Sequence, residues 1–175
     1  MFINDPLPGL TKVSLLEALR EKTQAITAEL LLPSRPQKSG EEKADTHVTV
    51  YIGRLPDMKQ SAKKAPYILH QIVNSAHRQE PGELLQSKAI VRSICCVYCD
   101  DEQEGTLTLI NLMERIRIAI LRNPLIGDNQ FECDFHEGLE DLVYPDDTYP
   151  YYMGEIISTW SLPAVKREGV RSLWE

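Results

Sequence analysis

The segment 88–122 constrains the fold more than any other part of the chain. It opens with KAIVRSICCVYC at 88–99, the longest strand candidate, and passes through the acidic turn DDEQEG at 100–105. It then enters TLTLINLMERIRIAILR at 106–122, where Leu109, Met113, Ile116 and Ile120 recur at spacings of four, three and four. That repeat marks one face of a helix. The acids at 100–104 precede the positive end of this helix and Arg122 stands at its negative end, so both favour its dipole. Asn123-Pro124 terminates it.

The rest of the chain supplies partners for this strand and helix. Residues 12–32 are good helix formers without Gly or Pro; Thr11 is placed to cap them and Pro33 to end them. Leu15, Leu19, Ile26 and Leu30 lie near one face. Strands are expected at 47–52 (HVTVYI), 66–73 (PYILHQIV), 130–136 (QFECDFH) and 151–162 (YYMGEIISTWSL), the last broken by Gly154. Segments 74–85 and 138–149 read as polar and acidic loops. The stretch 34–46 (SRPQKSGEEKADT) is a flexible linker in composition, and 163–175 a charged tail. Most connections are short, which favours antiparallel neighbours. The expected architecture is α+β: a single domain over 1–175, with one mostly antiparallel sheet of four to five strands and two helices on one face.

Composition narrows the function classes. The chain has 175 residues, 42% of them apolar, enough for a core without disulfides or metals. A formal net charge of −7 argues against specific nucleic-acid binding, which rests on Lys and Arg neutralising phosphates. No apolar run reaches the length of a membrane span, and the start of the sequence has no basic-then-apolar signal pattern. A cytoplasmic protein with reduced cysteines is the expectation.

Chemical motifs are sparse. Cys96 and Cys99 fit C-x-x-C, but residues three apart on a strand point to opposite faces, which suits buried thiols better than a metal clamp. An approach of Cys133 to Cys95 or Cys96 across the sheet is the other possibility. His47, His70, His77 and His136 form no i, i+4 pair, and His70 reads as a core or interface residue. Acids at Glu137, Glu140, Asp141, Asp146 and Asp147 lack calcium-loop spacing and read as a solvated loop. No catalytic residue, cofactor or metal site is assigned. Candidate partner-binding residues are the basic loop group Arg54, Lys59, Lys63 and Lys64, and two aromatics, Tyr151 and Tyr152, in a tyrosine-rich C-terminal segment.

The order of several segments resembles the tail terminator, or tail-completion, proteins of long-tailed bacteriophages and prophages. The pieces are VTVYIG at 48–53, PYILHQIV at 66–73, the strand, acidic turn, Gly and helix at 90–121, QFECDF at 130–135 and YPYYMGEIISTWSLP at 149–163. The helix carries INLMERIR at 110–117, similar to a LNLIERIR pattern in that family. The resemblance spans residues 47–163, about two thirds of the chain and about one domain. The chain departs from the pattern near Cys96, where a small residue is usual, and at 106–108, where an acid or aromatic is usual.

The resemblance implies a non-enzymatic subunit that forms a ring, usually hexameric, caps the tail tube, stops its polymerisation and presents a surface to the head. Its partners would be other copies of itself, the tail tube protein and a head-completion or connector protein. Two alternatives stand beside it: a metal-dependent hydrolase of a mobile element using the acids at 137–147, and a head–tail adaptor of similar fold.

Overall fold

The computed structural model describes residues 11–36, 40, 44–56, 64–145 and 148–165. Helix α1 spans Lys12–Thr27. The Thr11 hydroxyl accepts from the Ser14 backbone N–H at 3.2 Å, satisfying one of the donors that a first turn leaves over. The sequence pattern carries this helix to residue 32, but it stops at Thr27. Leu31–Pro33 instead forms strand β1, which pairs antiparallel with β2, Asp45–His47. The supposed linker therefore enters and leaves through a hydrogen-bonded ribbon, closed by Ser34, whose N–H and hydroxyl both donate to Ala44 O. Tertiary burial of Leu32 outweighs the helix propensity of the leucine run.

The main sheet contains β3 (Thr49–Ile52), β4 (Tyr67–Arg78), β5 (Gln86–Tyr98), β6 (Leu125–Ile126), β7 (Phe131–Cys133), β8 (Leu139–Val143) and β9 (Tyr151–Ser161). Its order is β3-β4-β5-β9-β7-β6, with β8 also paired to β9. Strands β7 and β8 share one edge of β9: β7 takes Trp160 and Ser161, and β8 takes the stretch from Gly154 to Ser158. Only β3 and β4 run parallel. The expectation of one sheet of four to five strands is overturned by these seven strands and the separate two-stranded ribbon.

Two of the missed strands leave little trace in the sequence. Strand β6 is two residues long and cannot display alternation, and β8 (LEDLV) is exposed at its three central positions. Strand β4 also runs five residues past its expected end. Its last part, NSAHR, lies beyond a register shift between Ile72 and Asn74 and is mostly exposed, so no apolar period announces it.

Helix α2 spans Glu102–Arg122. The acids at 100–105 do not form a turn ahead of it. Asp101 is the N-cap, accepting from the N–H groups of Gln103 and Glu104 at 2.9 and 3.1 Å, and Glu102 and Glu104 lie in the first turn. Gly105 sits inside the helix because the Tyr152 ring occupies the space of its missing side chain; a Cβ there would clash with Tyr152 Cε2. Gly154 does not break β9 either. A Cβ on it would lie 2.7 Å from Met113 Sδ and 2.8 Å from Leu142 O, so the glycine lets α2 approach the strand.

Both helices cover one face of the sheet, called here the inner face. Leu15 and Leu19 of α1 and Leu109, Leu112, Met113, Ile116 and Ile120 of α2 pack on Ile68, Val91, Cys95, Ile156 and Trp160. Pairing then fixes the outer face, which carries Lys88, Ile90, Arg92, Ile94, Cys96 and Tyr98 of β5, and Met153, Glu155 and Ile157 of β9.

Candidate functional site

The outer face has two halves. One half holds a small apolar cluster of Leu55, Ala65, Tyr67, Leu69, Cys96 and Tyr98. Its aromatic rings meet at angles: Tyr51 with Tyr67 at 6.2 Å, and Tyr98 with Tyr151 at 5.6 Å. The other half carries a polar ladder across four elements. Gln71 donates to Gly53 O at 2.9 Å and accepts from Arg92 Nη2 at 3.0 Å. Glu155 accepts from the Tyr144 hydroxyl at 2.8 Å. Burial, then this bond, pushes the Tyr144 hydroxyl up to about 12. Arg92 Nε lies 3.9 Å from Glu155, shielded from solvent and without a hydrogen-bond partner. The ladder is flanked by half-buried Ile90 and Ile157 and by Val73 and Leu142, which are 55% and 54% exposed.

Beyond the ladder, the ends of β4 and β5 form a concavity of about 330 Å³. Asn74, Ala76, Arg78, Lys88, Ile90 and Thr159 contribute to its wall. Lys88 bridges Asp134 and Glu137 at 2.7 and 2.9 Å on one side of it. The Lys88 ammonium holds the Asp134 carboxyl below its ordinary range. All of these groups come from strands or from the turn after β7, so the rigid sheet sets their spacing.

The structure separates the residues that the sequence singled out for docking. Arg54 is exposed in the turn after β3. Lys64 is half-buried just before Ala65, while Lys59 and Lys63 lie outside the described residues. Tyr151 points to the outer face, meets Tyr98 with its ring tilted and accepts from Arg35 Nη1 at 3.1 Å. Tyr152 points to the inner face and rests on Gly105. Sequence reasoning missed Gln71, Arg92, Tyr144 and Glu155. The available signal was a charge in the middle of each of two otherwise apolar strands.

Other chemistry-bearing groups are structural. The single proton of the Thr23 hydroxyl goes to Leu19 O at 2.8 Å, so the hydroxyl accepts from His70 Nε2 at 3.0 Å. His70 Nδ1 then accepts from the Ser93 hydroxyl at 2.8 Å. One neutral tautomer thus satisfies a fully buried ring, and burial lowers its pKa to about 4. Burial likewise pushes the thiols of Cys95, Cys96 and Cys133 up to about 12.

Cys95 and Cys96 face opposite sides of the sheet. Cys95 sits beside Gly154 and Cys133 beside Trp160, six residues further along β9, or about 20 Å. The suggested approach of Cys133 to Cys95 or Cys96 does not occur, since Cys96 faces the other side of the sheet. Among the described acids of 137–147, Glu137 pairs with Lys88, while Glu140 and Asp141 point to opposite faces of β8. Asp146 and Asp147 lie outside the described residues. Among the described residues, no group of three or more His, Cys, Asp or Glu side chains is placed to hold a metal ion.

Compared with known proteins, the sequence matches no family model, and no curated protein matches it significantly. Among the described residues, no helix is long and apolar enough to cross a membrane.

Proposed function

We propose that the chain is an assembly subunit of a long-tailed phage or prophage, a tail terminator that closes into a ring on the tail tube. The order of strand and helix segments over 47–163 suggests the class. The observation that carries the docking reading is the half of the outer face that no helix among the described residues covers. It joins half-buried and exposed aliphatic side chains to a central Arg92–Glu155 pair in which the arginine side chain is partly exposed. Apolar residues around an arginine are the composition of interface cores. A head-to-tail contact closes into a ring when it sets such a face against a different surface of the next copy. The proposed partners are other copies of the chain, a tail tube subunit and a head-completion protein, with assembly in the host cytoplasm.

The test mixes purified protein with tail tube subunits and images the products by negative-stain electron microscopy. Tubes of limited length with a ring at one end support the reading. Tubes that grow to the same length with and without the protein, and bear no cap, overturn it.

A further inference from the structure

Helix α2 carries a second apolar stripe on the flank away from the core. Leu107, Ile110, Ile118 and Leu121 are 55%, 39%, 38% and 47% exposed. At 100° per residue they fall within about 80° of arc, opposite the stripe centred on Ile116. Their spacing is symmetric about Glu114: Ile110 and Ile118 stand four residues to either side, Leu107 and Leu121 seven. The charge at this midpoint is cancelled in place, because Arg117 Nε and Nη2 donate to the two Glu114 carboxylate oxygens at 2.7 and 2.6 Å.

Charge along the helix is antisymmetric about the same point. Asp101, Glu102 and Glu104 lie at the N-terminal end, and Arg115, Arg117 and Arg122 in the second half. Two such helices laid side by side in the same direction set like charges together. Laid in opposite directions, they set acidic end against basic end, Leu107 against Leu121, and Ile110 against Ile118. Beside the stripe, Leu30, Leu32, Thr108, Asn111 and Ile118 line a groove of about 490 Å³ that gives room for side chains of an opposing helix.

We propose that this stripe is a contact surface between two copies of the chain, packed antiparallel about a twofold axis at Glu114. The contact is isologous. It is distinct from the head-to-tail contacts proposed for the ring and does not rest on them; applied to a closed ring, it joins two rings and doubles the subunit number. Its extent is on the order of 1,000 Å² in total, the lower edge of specific interfaces, so the pair is expected to dissociate in the micromolar range.

The test is sedimentation velocity on the full chain across micromolar to millimolar concentrations, with far-ultraviolet circular dichroism as the check on folding. The wild type is expected to double in mass as concentration rises. Ile110→Glu and Ile118→Lys, each alone, weaken pairing by at least about tenfold, since each sets a charge against an isoleucine. Mixing the two variants restores pairing, because an antiparallel register brings the new acid and the new amine together. Leu107→Glu with Leu121→Lys repeats the design at the stripe ends, should either inner variant fail to fold.

A wild type of constant mass overturns the proposal, as does a mixture that associates no better than its components. A dimer that persists while tail tubes remain uncapped leaves this contact standing and removes only the terminator reading. Capping by a protein whose mass never doubles does the reverse.

Discussion

The two faces of the sheet are made by the same strands and differ in nearly every physical respect. On β5, alternation sends Ala89, Val91, Ser93, Cys95 and Val97 inward and Lys88, Ile90, Arg92, Ile94, Cys96 and Tyr98 outward. Inward side chains meet two helices and are excluded from water, and the polar ones are matched: Ser93 to His70, and Ser158 to the Trp160 indole at 2.8 Å. The outward set keeps one dry cluster at the tyrosine end and turns to ions and half-exposed isoleucines at the other. The contrast teaches that folding free energy is concentrated on the helix side. The outer side is left with ionic and half-exposed aliphatic surface, which is the surface proposed for contact.

The strongest way to break this contrast is Trp160→Ala. The indole is fully buried beneath the helices, and its loss leaves a large cavity and an unmatched Ser158. A destabilisation of about 4 kcal/mol is expected in urea unfolding, with the slope unchanged. A loss below about 1 kcal/mol would show that the inner face is not where stability resides.

Next in size is a pH effect from His70. Its folded pKa of about 4 lies below the ordinary 6.5 because burial opposes the charge. As pH falls, the unfolded chain therefore binds this proton first. The His70 contribution is complete above about pH 6.5 and is lost as pH drops towards 4, by up to about 3 kcal/mol. Unfolding free energies of the wild type and His70→Gln, measured from pH 7 to 4, should converge on acidification. Parallel curves would mean that the ring is not held neutral by its burial.

The same contrast explains what could be read from the sequence. Inner-face elements announce themselves because burial selects apolar residues at a fixed period: α2, β5 and most of β9 were visible in this way. What was missed lies where burial is one-sided or absent. The β4 extension at 74–78 is largely exposed, and β8 owes its place to β9 as a neighbour. The leucines after Thr27 favour a helix by local propensity, and pairing with Asp45–His47 together with burial of Leu32 makes them a strand.

The residues proposed for docking were harder still to read. Tyr151 and Tyr152 are adjacent in sequence and sit on opposite faces. Gln71, Arg92, Tyr144 and Glu155 are dispersed in sequence and form one ladder, because strand order, which no local pattern encodes, sets them side by side.

The smallest expected effect sharpens the comparison most. Arg92 is 41% exposed in its side chain, and its contact with Glu155 is long, so solvent screens most of the attraction. Its Nε is buried without a partner, which offsets part of what the Gln71 bond contributes. Arg92→Met keeps the aliphatic stem and removes both terms, so the stability of the isolated subunit should change by less than about 1 kcal/mol. Self-association, read by sedimentation on the same sample, should fall by at least about tenfold if the guanidinium meets a neighbour. Equal small changes in both readouts would place Arg92 outside any interface. A large loss of stability with association intact would make the outer face a second folding surface, and the two sides of the sheet would differ in composition without differing in role.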